Sequence, residues 1–207
     1  RVMVEKSKKK IGLFGGTFDP IHTGHLIVVE LIRDELQLDR IIFIPTKKHP
    51  LKDNKSISPE TDRLAMIRLA VEDNPYLSLS DMEVKKDSVS YTVDTIRAFR
   101  KLYPPDEYEL FFLMGMDNIN QLHLWKEPDT LVQLCRIVAF GRPGFELHGE
   151  AERFLAHIET IQIPLLEISS SYIRKRIQSG RSIRYLVPAK VEAYIRQKHL
   201  YQGEALR

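Results

Sequence analysis

The sequence of 207 residues has a single cysteine, Cys135, so no intramolecular disulfide framework braces the fold, and the lone thiol fits a reducing compartment. Its apolar neighbours Leu134, Ile137 and Val138 mark it as a core thiol. Neither sign of charge is in excess: 31 basic against 28 acidic residues leave +3, too little to argue for nucleic-acid binding. Long apolar runs are also missing, and the short, interrupted ones predict no membrane association and a cytoplasmic protein. Residues 1–10 carry charge but no apolar h-region or cleavage pattern, so they do not read as a secretory signal. No repeat, low-complexity tract or shift in composition marks a boundary. The expected layout is a flexible or non-native tail over 1–9, one domain over 10–202 and a C-terminal tail over 203–207.

Apolar runs at 11–14, 41–44, 110–114 and 137–140 read as buried strands, with weaker candidates at 77–79 and 161–163. Between them the 3.6-residue period predicts helices over 25–36, 59–71, 93–102, 129–134, 151–158, 172–178 and 189–198. Ser58 before Pro59, Pro188 before Ala189 and Gly180 after Gln178 supply start and stop signals. Alternating strands and helices predict an α/β fold, a doubly wound, mainly parallel sheet with helices on both faces. In such folds ligands bind beyond the carboxyl ends of the strands, here residues 15–25, 45–52, 115–125 and 141–144.

The first of these loops runs Gly15-Gly16-Thr17-Phe18-Asp19-Pro20-Ile21-His22-Thr23-Gly24-His25 into an apolar-periodic helix. It lacks both G-x-G-x-x-G and the G-K-[ST] ending of a P-loop. What remains is His22-x-x-His25 at a helix start, where residues three apart share a face and the amino end favours anions, so two ring N–H groups could face one phosphate. A tight strand-to-helix connection, and a zinc site lacking a compact third and fourth ligand, are the alternatives on these residues alone.

The stretch GGTFDPIHTGH resembles the signature of the nucleotidyltransferase superfamily whose hallmark is [HT]-x-G-H after the first strand. The resemblance implies a Rossmann-like fold, with His22 and His25 on the α- and β-phosphates of ATP, countering charge at the α-phosphorus during in-line attack with no covalent intermediate. It extends the ATP contacts to Gly15, Gly16, Thr17, Phe18, Gly24, Gly115 and Asp117. A second stretch, Ile168-Ser169-Ser170-Ser171-Tyr172-Ile173-Arg174, precedes a short helix that its serines can cap. It resembles the superfamily's I-S-S-T-x-I-R, with Ser171 where threonine is usual, and implies that Ser169, Ser170 and Arg174 hold the β- and γ-phosphates.

Three further segments bear on the acceptor. Thr92 is a plausible N-cap, Asp117 a loop carboxylate able to take ribose hydroxyls or reach Mg²⁺, and Trp125 a flat surface for stacking a base, although a single tryptophan also suits a core. Together Ser90-Tyr91-Thr92, Gly115-Met116-Asp117 with Trp125, and Gly141-Arg142-Pro143-Gly144 resemble the bacterial nicotinate-nucleotide adenylyltransferases, from about Lys10 to Gln202. The resemblance implies adenylyl transfer from Mg²⁺-bound ATP to nicotinate mononucleotide, with Tyr91, Thr92 and Trp125 around the nicotinate ring and Lys52 on the acceptor phosphate. Two departures stand out: His49-Pro50-Leu51-Lys52 in place of the usual P-P-H-K, and Gly115-Met116-Asp117 in place of G-A-D. Nicotinamide mononucleotide or phosphopantetheine as acceptor, a non-catalytic nucleotide sensor, and a homo-oligomeric state all stay open.

Overall fold

The computed structural model describes residues 7–47, 57–141, 146–164 and 166–203. Six strands form one parallel sheet: β1 Lys9–Gly16, β2 Arg40–Pro45, β3 Leu77–Leu79, β4 Tyr108–Gly115, β5 Arg136–Gly141 and β6 Ile158–Gln162, in the spatial order β3-β2-β1-β4-β5-β6. The helices are α1 Thr23–Leu36, α2 Glu60–Val71, α3 Thr92–Leu102, α4 Met116–Ile119, α5 Pro128–Leu134, α6 Ser170–Gln178 and α7 Ala189–Gln197. From β3 at one edge the chain returns to β4 beside β1, so strand order reverses between β1 and β4, where a doubly wound sheet opens its crevice. The expected fold class is the observed one.

Strand side chains alternate between two cores. Phe14, Phe43, Phe111, Leu113 and Val138 meet α1, α2, α6 and α7 through Val29, Ile32, Met66, Ile67, Ile173 and Val191. Leu13, Ile42, Ile44, Phe112, Met114 and Ile137 face the other way, onto Val93, Ile96 and Phe99 of α3 and Leu131 of α5. Both faces of the central strands are thereby buried, which is why they read as continuous apolar runs. Cys135 lies in the second core, 4% exposed, and burial pushes its thiol pKa up to about 12.

Some expectations need correction. Residues 149–157 form a 3₁₀ helix rather than an α-helix over 151–158, and Ile158 opens β6. Its buried residues, Ala151 and Phe154, are three apart, a spacing that three residues per turn satisfies as well as 3.6 does. The stretch 115–125, read as a loop, holds α4 and a 3₁₀ turn at Leu122–Leu124, which bury Met116, Ile119 and Leu122 at the same spacing. Ser58 does not cap α2: Pro59 takes that position, and the Ser58 N–H goes to Asp19 at 3.0 Å. Thr92 is the first residue of α3 rather than its cap; Tyr91 is the cap, without a side-chain bond. Pro188 caps α7, and Gly180, just beyond α6, adopts φ +66° as a helix-ending glycine does. Among the described residues no helix is long and apolar enough to cross a membrane.

Candidate active site

Between β1 and α1 the chain turns through Phe18 at φ 50° and a cis Asp19–Pro20 bond before His22 takes the N-cap position of α1. The two histidines cap the helix for each other. His22 Nδ1 accepts the His25 backbone N–H at 3.3 Å, and His25 Nδ1 accepts the His22 N–H at 3.1 Å. The rings lie stacked with centroids 3.6 Å apart, and His25 meets the Phe18 ring edge-on at 5.0 Å. Since both Nδ1 atoms accept hydrogen bonds, the ring hydrogen of each neutral imidazole sits on Nε2. A pair that offers two N–H hydrogens suits an anion better than a metal cation.

Gly24 allows this stacking. A Cβ there would lie 2.9 Å from two atoms of the His22 ring, so any side chain would push that ring out of place.

Desolvation by the surrounding protein lowers the His22 pKa to about 4 and that of His25 well below 6.5, with His22 adding to the second shift. Both therefore rest neutral near pH 7. Their folded pKa values lie below the unfolded one, so the stability they contribute is whole above pH 6.5 and drains away as pH falls towards 4. For His22 the shift corresponds to about 3 kcal/mol. Thermal melts between pH 7 and 4 should show this loss, and His22→Gln should flatten the slope.

The turn is held from several sides. Arg63 of α2, fully buried, donates Nη1 to the carbonyls of Thr17 at 2.8 Å and Thr46 at 2.7 Å, and Nε to that of Ser58 at 3.1 Å. One guanidinium thus ties together the chain after β1, the chain after β2 and the approach to α2. From α6, Arg174 Nη1 donates to the Asp19 carbonyl at 2.8 Å and the Ser170 hydroxyl to the Pro20 carbonyl at 2.8 Å. Ser169 caps α6, accepting the Tyr172 N–H at 3.1 Å, and its hydroxyl pairs with that of Ser171. In this structure the Ser169 oxygen caps α6 and the Ser170 hydroxyl reaches the turn.

The acceptor candidates gather elsewhere. Tyr91 is exposed at the start of α3, and Lys126, the neighbour of Trp125, sets its ammonium 4.8 Å from the Tyr91 ring centre. Lys126 pairs with Asp94 at 2.8 Å and Glu127 with Arg97 at 2.7 Å, so the segment bearing Trp125 is fastened to the first turns of α3. Trp125 is half-buried and meets Phe112 edge-on at 6.0 Å. Its ring serves the core on one side, as a lone tryptophan commonly does. Asp117 is exposed in α4, directly after β4, and Gly115 ends that strand. His49 and Lys52, and residues 142–144, lie outside the described residues.

Two residues went unnoticed in the sequence. Arg63 carried a signal, because it falls on the buried stripe Arg63, Met66, Ile67, Val71, where an arginine needs a partner. Tyr201, whose hydroxyl donates to Asp19 Oδ1, carried none.

A family model described as cytidylyltransferase-like matches residues 13–176. A probable nicotinate-nucleotide adenylyltransferase of Desulfitobacterium hafniense is 40% identical over 201 residues, covering 94% of this chain and 96% of the relative. One from Geobacillus thermodenitrificans is 43% identical over 192 residues, covering 93% and 86%. Among solved structures, Plasmodium falciparum nicotinic acid mononucleotide adenylyltransferase complexed with NaAD superposes with a TM-score of 0.76 at 24% identity, covering 93% of this chain and 97% of that one, an agreement of fold. With a turn that presents two imidazole N–H groups, and with relatives matching along nearly its whole length, the chain belongs to the nicotinate-nucleotide adenylyltransferase family.

Proposed function

We propose that the protein transfers the adenylyl group of ATP to nicotinate mononucleotide, giving deamido-NAD and pyrophosphate. The observation that carries this reading is the reciprocal cap of His22 and His25, which leaves two neutral Nε2–H donors side by side at the carboxyl end of β1. The acceptor 5′-phosphate attacks the α-phosphorus, a P–O bond forms there, and the bond to the pyrophosphate oxygen breaks. The nucleophile is already ionised near pH 7, so no general base is needed. Catalysis is positioning and electrostatics: the donors are fixed before substrate arrives and lose little on reorganisation.

Arg174, one turn into α6, faces the same turn and meets the outgoing phosphates together with the first backbone N–H groups of that helix. Asp19 is unavailable as a metal ligand because both its carboxylate oxygens are engaged inside the protein. Asp117, exposed beyond β4, is a hard oxygen donor of the type Mg²⁺ takes alongside substrate phosphates, and would hold that ion or a ribose hydroxyl. Mg²⁺ bound there would neutralise phosphate charge.

The nicotinate ring is assigned to Trp125 and the start of α3 at Tyr91 and Thr92, where helix N–H groups favour a carboxylate over an amide. Lys52 is assigned to the acceptor phosphate on the family resemblance alone. Pyrophosphate release from ATP should be fast with nicotinate mononucleotide and slow with nicotinamide mononucleotide, and no release with either would sink the reading. Trp125→Ala should raise KM for nicotinate mononucleotide on the order of tenfold, the worth of one stacked ring, with KM for ATP little changed. Trp125→Phe, which keeps an aromatic face against Phe112, should recover part of it; equal effects on both substrates would count against stacking.

A further inference from the structure

The segment beyond α7 ends on the phosphate turn. After Gln197 the backbone passes through two non-glycine residues in the left-handed region, His199 at φ 52° and Tyr201 at φ 62°, while the Leu200 N–H closes on the Ile195 carbonyl at 3.0 Å. Side-chain-bearing residues hold such conformations where their surroundings over-determine them. Here the outcome is that Leu200 and Tyr201 pack against the core beneath α1, and the Tyr201 hydroxyl donates to Asp19 Oδ1.

Asp19 is 3% exposed. Its Oδ2 accepts the Ser58 N–H and its backbone carbonyl accepts Arg174, so three separate parts of the chain converge on this one residue. Only Pro20 and the fully buried Ile21 separate it from His22, leaving little slack to absorb a shift. Burial and the adjacent Asp19 carboxylate hold the Tyr201 phenol far above its ordinary pKa, so it stays a donor at every working pH.

We propose that the Tyr201 hydroxyl is a positioning group of the phosphate site: by holding Asp19 it sets where the turn delivers His22, and with it the stacked ring of His25. Tyr201 touches no substrate. The C-terminal segment is in this way part of the transfer machinery, an inference that rests on the adenylyl-transfer reading above.

Tyr201→Phe tests it, because the ring keeps its packing and only the hydroxyl is lost. The variant should still fold, but the buried Asp19 Oδ1 loses its donor and the thermal midpoint should fall by several degrees. It should lose about tenfold to a hundredfold in kcat, the cost of a small misplacement, while KM for nicotinate mononucleotide holds. The ¹⁵N resonances of the His22 and His25 imidazoles should move as well. Tyr201→Phe added to Asp19→Ala should lose no more than Asp19→Ala alone, since that change has already removed the carboxylate the hydroxyl holds. Unchanged kcat, lost kcat with unmoved imidazole resonances, or additive losses would each overturn the proposal. A wild-type protein that releases no pyrophosphate would instead defeat the adenylyl-transfer reading, and the imidazole resonances, which need no turnover, would still report on the tie.

Discussion

His25→Ala should leave a folded protein whose kcat is lower by about 10²–10³, the usual cost of removing one preorganised donor from a developing oxyanion. The His25 ring is stacked on His22, flanked by Phe18, and fixed by the N–H it accepts, so its Nε2–H is aimed before ATP arrives. Charge grows on the α-phosphate oxygens as the acceptor attacks, so the bond strengthens towards the transition state and its loss falls on kcat more than on KM for ATP. Stability should suffer less. The substitution removes one acceptor from the α1 cap, worth about 1 kcal/mol, which for a chain of this size moves the thermal midpoint by only a few degrees. Because the two rings order one another, His22→Ala and His25→Ala combined should cost less than the product of their separate effects. Near wild-type turnover in folded His25→Ala would remove His25 from the transition state.

The sheet and the first loop were legible because each is encoded locally. The period-2 alternation of β1, β2 and β4 sits inside continuous apolar runs, and the stretch from Gly15 to His25 carries its chemistry within eleven consecutive positions. What holds that loop is encoded at a distance. The partners of Asp19 are 39, 155 and 182 residues away in sequence, and no local pattern announces such meetings. The same distance hides the bond of the Ser170 hydroxyl to the Pro20 carbonyl, 150 residues away. The 3₁₀ segments were misread for another reason, since buried residues at i and i+3, as in Ala151 and Phe154, fit both helix types. On the acceptor side the family pattern groups Tyr91 with Trp125. What fastens their segments to one another was not visible, because the ion pairs of Lys126 with Asp94 and Glu127 with Arg97 span 32 and 30 residues.

Arg63→Met should be the most destabilising of the substitutions considered and should take activity with it. The methionine fills much of the same volume but supplies none of the three hydrogen bonds that join Thr17, Thr46 and Ser58, leaving their carbonyls without this donor. It also removes a buried positive charge close to the Asp19 carboxylate, which stabilises the guanidinium against the burial that lowers its pKa. Breaking a buried charged network from one side costs about 3–5 kcal/mol, which for a chain of this length lowers the thermal midpoint by roughly 10 °C or more. Arg63→Lys separates charge from geometry. A lysine keeps the positive charge but has no planar fork to span three carbonyls, so it should recover only a minor part of the stability and little of the turnover. Full recovery by lysine would mean that the charge, not the clamp, matters. A thermal midpoint within about 2 °C of wild type in Arg63→Met would mean that the loops bearing the phosphate site stand without their tie to α2.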